Sequence, residues 1–361
     1  MPGEGPQGES GSDRTRVLIF SWMGIGDVLF LTPWLPFLTA RNTEIVALLK
    51  PDTERVLALH PSVAETFSFN RNGFRGPWRE KVVSAARLFA LLLRLRRHRF
   101  DEVYIQNYKN KAVLVAGLIA WILGARRRIG FCIDRRFAAF LTHPIPFPTS
   151  VMHEVERYRL LFGIKRDAPA DPIRLDLSAD EQQWVEGFLR TRGLAGYVII
   201  HPGADFEPKR WGEDRFAELI RLIHGRLGLP VVLTGSPKER GIAERIMSVV
   251  SDGVHTVVGE TSLGQLAALI KHARCLISND SGPVHVAVSQ GTLVVALFGP
   301  TDPRRCGPFG DTQSVVIQAA AEPVYAYGAY PRGLDQRLIN AISVTEVFAA
   351  VEMLLAGKGT A

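Results

Sequence analysis

Short apolar runs alternate with longer segments of helical period along almost the whole chain. In the first half RVLIF, EIVALL and DEVYIQ read as strands, and the stretches near 33–40, 52–59 and 79–98 read as the helices between them. A further helix follows Lys111 and leads to RRRIGF. The second half begins the alternation afresh. Its strands are YVIIHPG, PVVLTGS, HTVVG, RCLISND and LVVALFG, and its helices run from about Glu213 to Leu227, over 238–250 and 263–272, and briefly after Pro283. Such alternation marks an α/β chain with parallel sheets. Between the halves lies KRDAPADPIRLDLSADE, polar and proline-bearing, which reads as a linker. Its Ser178 and Glu181 have capping-box spacing for a helix opening the second half. The expected architecture is two Rossmann-like domains facing a cleft: a mobile tail over 1–14, a first domain over 15–170 and a second over 171–340. The last helix, about Val344 to Leu355 within 341–361, could return to the first domain.

Length agrees with this division, since 361 residues exceed the ~250–300 at which one core stops growing. The three cysteines, Cys132, Cys275 and Cys306, are odd in number and widely spaced, with no C-x-x-C pair, so neither a zinc site nor a redox motif is expected. A reducing, cytoplasmic setting follows. MPGEGPQGESGSDRT lacks an apolar h-region and reads as a tail rather than a signal peptide. The longest apolar run, Ala112 to Ala125, falls short of the ~20 residues that span a bilayer. A soluble or at most peripheral protein is expected.

Charge is unevenly placed. Residues 1–170 hold 25 Lys and Arg against 15 Asp and Glu, whereas residues 171–361 hold 18 against 21. Arginines cluster at 94–99 and again at 126–136. This is either a solvated basic face or the footprint of an anionic partner such as a phosphorylated glycolipid or membrane surface. Nucleic acid is not expected, because no aromatic residues are interleaved with these charges for stacking.

Candidate chemistry sits in the turns after the strands. In SWMGIGDVLFLTP the third glycine of a dinucleotide fingerprint is replaced by Leu29, so that motif fails. Asp27 stands there instead, readable as a helix N-cap or as a catalytic carboxylate, and Gly24 and Gly26 let the backbone turn tightly in either case. In HPGADFEPKRWGEDRF, Lys209 is either an exposed lysine or a point charge for a phosphate. In NDSGPVH, Ser281 or Gly282 can cap a helix whose first turn holds Pro283, leaving N–H groups aimed at an anion. Asp280 can take hydroxyls or orient that loop, His285 is a packed core residue or a catalyst, and Thr301 of FGPTDP can cap a phosphate. GSPKERG is not a P-loop, no D-x-D occurs, and neither G-x-S-x-G nor H-E-x-x-H is present.

These residues together resemble family 9 of the glycosyltransferases, the bacterial lipopolysaccharide heptosyltransferase group. GIGDVLFLTPWLPFL, LGARRRIGF, HEVERYRLLFGI, HPGADFEPKRWGEDRFAELI and above all SNDSGPVHVAVSQGTLVVALFGPTDP carry the resemblance, from about Arg16 to Leu355. It implies a GT-B fold, with a nucleotide-sugar held mainly by the second domain and the acceptor by the first. It implies Asp27 as general base, Lys209 on the donor diphosphate, and Asp280, Ser281, Gly282 and His285 around the phosphates. It implies an acidic residue at the donor ribose, which maps onto Glu239. The implied reaction is an inverting, metal-independent transfer of a heptose or related sugar from an ADP-sugar, without cofactor, to a lipopolysaccharide or other lipid-linked glycan acceptor. Peripheral contact with the inner membrane, at its cytoplasmic face, goes with it. One departure is that VVIQAAAEPVYAYGAYPRGLDQRLINAIS has none of the cysteines many relatives carry there, which leaves acceptor and subfamily open. Two other classes fit the same architecture: a nucleotide-sugar epimerase, and a non-catalytic nucleotide-sugar-binding scaffold in envelope assembly.

Overall fold

A computed structural model describes residues 14–319 and 333–357. Residues 1–13 of the expected tail, 320–332 of the cysteine-free stretch and 358–361 lie outside the described residues. The first sheet comprises β1 (Thr15–Phe20), β2 (Thr43–Leu49), β3 (Val63–Ser68), β4 (Glu102–Ile105), β5 (Arg127–Cys132) and β6 (His143–Pro146), ordered β3-β2-β1-β4-β5-β6. The second comprises β7 (Val198–His201), β8 (Val231–Leu233), β9 (Val254–Thr256), β10 (Cys275–Asn279), β11 (Leu293–Phe298) and β12 (Ser314–Gln318), ordered β12-β11-β10-β7-β8-β9. Neighbouring strands are parallel throughout both sheets.

Central strands carry continuous apolar runs because both sheet faces are covered. In β1, Val17 and Ile19 enter one core while Leu18 and Phe20 enter another on the opposite face. Edge strands lack this signal, which is why β3, β6 and β12 do not stand out in the sequence. Their burial is patchy, and the prolines of β6 are tolerated on an edge strand. Each sheet reverses direction of winding once, between β1 and β4 and between β7 and β10. Open α/β sheets bind ligands beyond the carboxyl ends of the strands at such points.

The linker stretch is more structured than its polarity suggests. Ile173 and Leu175 are buried in the core that joins the two domains. Arg174 N donates to Thr32 Oγ1 of the first domain at 3.0 Å, and Gln290 Nε2 of the second donates to Leu175 O at 2.8 Å. Ser178 caps the helix Ala179–Arg192, and Glu181 completes the capping box. Arg55 binds the same glutamate across the domain boundary.

The last helix, Val344–Gly357, does not return to the first domain. Val344, Val347, Phe348, Val351 and Leu354 form an apolar stripe that packs on the helix Glu213–Leu227 and on Val295 and Leu297 of β11. The segment before it is fastened to the second domain as well. Trp211 Nε1 donates to Ile342 O at 3.0 Å, and Gly212 N donates to Asn340 Oδ1 at 2.8 Å. Trp211 is fully buried at 1% exposure, so Trp211→Ala is expected to lower stability by about 3–5 kcal/mol in urea denaturation. Trp211→Phe keeps most of the apolar contact and loses the indole hydrogen bond, which gives a loss of about 0.5–1.5 kcal/mol.

Candidate active site

The two reversal points face each other across a cleft of about 750 Å³, within the usual range for ligand pockets. All ten residues singled out from the sequence line it: Gly24, Gly26, Asp27, Lys209, Glu239, Asp280, Ser281, Gly282, His285 and Thr301. Several are held differently from what the sequence suggested.

On the first-domain wall, β1 ends in a loop that turns into the short helix Ile25–Leu29. Gly24 is the N-cap of that helix, so Asp27 is not; it stands inside the first turn and accepts Gly24 N–H at 3.2 Å. The end of β4 fixes this loop. Gln106 Nε2 donates to Asp27 O at 2.5 Å, and Asn107 Oδ1 accepts from Trp22 N at 3.0 Å. Desolvation in the cleft raises the Asp27 pKa to about 6, and the nearby Glu154 carboxylate raises it too. The Gly24 N–H, Lys50 and Lys209 act in the opposite direction.

The second-domain wall is organised by Asn279 and Asp280 at the end of β10. The Asn279 amide donates to Pro202 O at 2.8 Å and accepts from Trp211 N at 3.1 Å, clamping the loop that follows β7. That clamp brings Lys209 Nζ to 2.6 Å from Asp280 Oδ2 and 3.1 Å from Asp280 O. Thr301 Oγ1 also donates to Asp280 Oδ2, at 2.6 Å, and the Cys306 thiol lies 3.9 Å from Oδ1. Asp280 Oδ2 thus holds Lys209 and Thr301 together. The single Thr301 hydroxyl proton is directed to Asp280 in this arrangement, and Thr301 lines the cleft.

Ser281 caps the helix Gly282–Ser289 by backbone alone, because its side chain makes no cap bond and lies 3.0 Å from Ser278 Oγ. The first turn of that helix therefore presents its N–H groups and dipole to the cleft. His285 is 4% exposed, and burial lowers its pKa to about 3, so the imidazole is neutral. Its ring packs edge-on to Phe30 with centroids 4.4 Å apart, and its Nδ1 has no hydrogen-bond partner among the described residues. Glu239 folds back over the turn after β7. Its Oε2 accepts from Ser236 N at 2.6 Å, and its carboxylate lies over Gly203, where a Cβ would stand 1.7 Å from Oε1 and displace the side chain.

Sequence reasoning passed over several residues of the site. His153 and Glu154 lie within the quoted HEVERYRLLFGI but were given no role. Glu154 pairs with Arg157 and, at 3.2 Å, with Arg305 of the second domain. His153 Nε2 lies 3.1 Å from Gly307 O and its ring stacks on Phe309. Cys306, read only as an isolated cysteine, has its thiol pKa pushed well up by burial beside Asp280. The signal available for these was their place in turns after strands, which is weak without the fold. Among the described residues no group of three or more His, Cys, Asp or Glu side chains stands close enough to hold a metal ion.

Lipopolysaccharide heptosyltransferase 3 of Escherichia coli is 26% identical over 351 residues, covering 93% of this chain and 98% of its own. Among solved structures, the glycosyl transferase family 9 protein from Veillonella parvula superposes with a TM-score of 0.79 at 24% identity, over 97% of this chain and all of its own. The E. coli ADP-heptose LPS heptosyltransferase II superposes with a TM-score of 0.77 at 23% identity, over 96% of this chain and all of its own. These likenesses fix the fold as GT-B. Residues 88–325 match the model of glycosyltransferase family 9 (heptosyltransferase), which favours transfer over the epimerase and scaffold readings. The chain belongs to glycosyltransferase family 9, and it is a glycosyltransferase.

Proposed function

We propose that the protein transfers a heptose from ADP-heptose, with inversion, to a hydroxyl of the lipopolysaccharide core at the cytoplasmic face of the inner membrane. The observation that carries this reading is a carboxylate of raised pKa facing, over one cleft, a lysine and an uncapped helix N-terminus. The names of the relatives supply the sugar and the acceptor class.

The roles follow from the geometry. The acceptor oxygen attacks the anomeric carbon from the side opposite the diphosphate, the bond from that carbon to the diphosphate oxygen breaks, and Asp27 receives the acceptor proton. A base of pKa near 6 is mostly ionised at neutral pH and still binds a proton more firmly than an ordinary carboxylate. Lys209 and the N-terminus of the helix Gly282–Ser289 offset the charge that develops on the departing ADP. Glu239 borders the nucleoside end and takes ribose hydroxyls. Asp280, saturated by Lys209 and Thr301, holds the lysine in place. His285 contributes a neutral wall.

Asp27→Asn is expected to lower kcat by about 10²–10⁴-fold while ADP affinity by calorimetry changes little; undiminished turnover would remove the base assignment. In the parent enzyme kcat should fall as pH drops through about 6, where Asp27 takes up a proton. The same shift has a stability consequence of defined sign. A carboxyl whose pKa is higher folded than unfolded stabilises the fold fully below about pH 4 and loses that contribution as pH rises through about 6. Asp27→Asn should therefore melt a few degrees above the parent at pH 7.5, with the difference shrinking at pH 4.5. Lys209→Ala should weaken ADP binding by about 10–100-fold and lower stability, because it leaves the Asp280 carboxylate unpaired. Equal ADP affinity in the two forms would count against its donor role.

A further inference from the structure

The first domain has an outer face that the cleft does not use. Two helices, Trp78–Arg96 and Asn110–Ile122, cover the same side of the first sheet, where Leu91, Leu95, Ile119 and Ala120 pack on Phe20 and Ile105. On the longer helix the inward stripe is Ser84, Leu88, Leu91 and Leu95. A second apolar stripe runs along its other side. Trp78, Val82, Phe89 and Leu93 are 69%, 59%, 64% and 50% exposed, and they recur at helical spacing. At about 100° per residue the two stripes point roughly 150° apart. Packing on the sheet explains the first and leaves the second without a partner among the described residues.

The shorter helix repeats the pattern with Val115, Leu118, Trp121 and Ile122, all exposed. Arg96 Nη1 donates to Ile122 O at 3.4 Å, so the C-terminal ends of the two helices adjoin, close to the exposed Leu93 and Trp121. Charge follows the same surface. Residues 70–100 contain nine Lys and Arg and one acid, Glu80, and residues 103–133 contain five Lys and Arg and no acid. By helical position Arg79 and Arg97 flank the outer stripe on one side and Lys81 on the other. Proteins rarely leave a contiguous apolar patch of this kind without a use. An apolar stripe rimmed by cations, with exposed tryptophans, matches a lipid surface of negative charge.

We propose that this face lies on an anionic lipid bilayer, with Trp78, Phe89, Leu93 and Trp121 sunk among the headgroups and the flanking Arg and Lys on lipid phosphates. No helix among the described residues is long and apolar enough to cross a membrane, so the protein lies on the surface through this face. Both helices begin near the carboxyl ends of their preceding strands, the edge on which the cleft opens. The turn Arg71–Arg75 before the longer helix adjoins a smaller pocket of about 330 Å³ that shares Lys50 and Asp52 with the main cleft. A bilayer-anchored acceptor would thus meet the cleft at its first-domain end. That orientation rests on the transfer reading above, whereas attachment to lipid does not.

The test is co-sedimentation of the full chain with vesicles of phosphatidylglycerol and phosphatidylcholine, and with pure phosphatidylcholine. Donor and acceptor are absent, so failure here and failure of the transferase reading are separate results. The protein should sediment with the anionic vesicles only. Phe89→Ser with Leu93→Ser should cut partition at least ~10-fold, and Arg79→Ser, Lys81→Ser and Arg97→Ser together ~100-fold, with melting temperature and ADP affinity unchanged in both. Absence of binding to anionic vesicles, equal binding to both lipids, or indifference to both sets of substitutions overturns the proposal. So does a dimer that the Phe89 and Leu93 substitutions dissolve, which would assign the face to a second copy of the chain.

Discussion

A Cβ at position 26 would lie 2.6 Å from Cδ2 of His285, closer than two carbons approach, so the domains meet as they do because residue 26 is glycine. The helices Ile25–Leu29 and Gly282–Ser289 come together here, one from each domain. Gly282 repeats the constraint from the other side, since its Cβ would stand 3.3 Å from that of Ile25. The close approach seals one margin of the cleft with Phe30 and His285 and sets two helix N-termini beside the same space. It also explains why His285 is neutral. A buried imidazolium here would lack water, a loss that the nearby Asp280 carboxylate does not make good and that Lys209 adds to. The histidine serves the site by shape, and the field of the helix ends is left for an anion.

Charges in the cleft are sorted by domain. On the second-domain side Asp280 anchors Lys209, Thr301 and Cys306, which converts a flexible lysine into a fixed point charge. On the first-domain side the Asp27 carboxylate accepts from Gly24 N, its backbone carbonyl accepts from the Gln106 side chain, and it takes part in none of the ion pairs among the described residues. A carboxylate taken out of water and facing a second carboxylate is a stronger base than an exposed one. The two aspartates differ in chemistry through their neighbours alone.

Much of this was legible in the sequence, and the limits have physical causes. Central strands announced themselves because both faces are buried, whereas β3, β6 and β12 sit on edges and carry no such pattern. The helix Glu213–Leu227 was placed correctly to the residue, as its strong amphipathic stripe and Gly228 at the left-handed C-cap would require. The last helix could not be placed, because an apolar stripe tells that a helix packs and not on which sheet. In the site, glycines, Asp27 and Lys209 were visible as residues out of keeping with their surroundings. Thr301 was not readable in the same way: whether its proton serves a ligand or Asp280 depends on a 2.6 Å contact between turns 21 residues apart. Glu154 and Arg305 were missed for the same reason, since their pairing spans 151 residues.

That last pair links the position of the domains to the strength of the base. Glu154 raises the proton affinity of Asp27, and its own charge is shared with Arg157 and with Arg305, which reaches it from the second domain. His153 makes a second tie, to Gly307 O. If the second domain moved away, Arg305 and Lys209 would leave together, and both losses would push the Asp27 pKa higher. Desolvation is the largest cause of the shift, however, and the same motion would admit water and remove it. The larger effect decides the sign, so an open cleft returns Asp27 toward an ordinary carboxylate. On the transferase reading proposed above, Asp27 is a stronger base with the cleft enclosed than with it open to water.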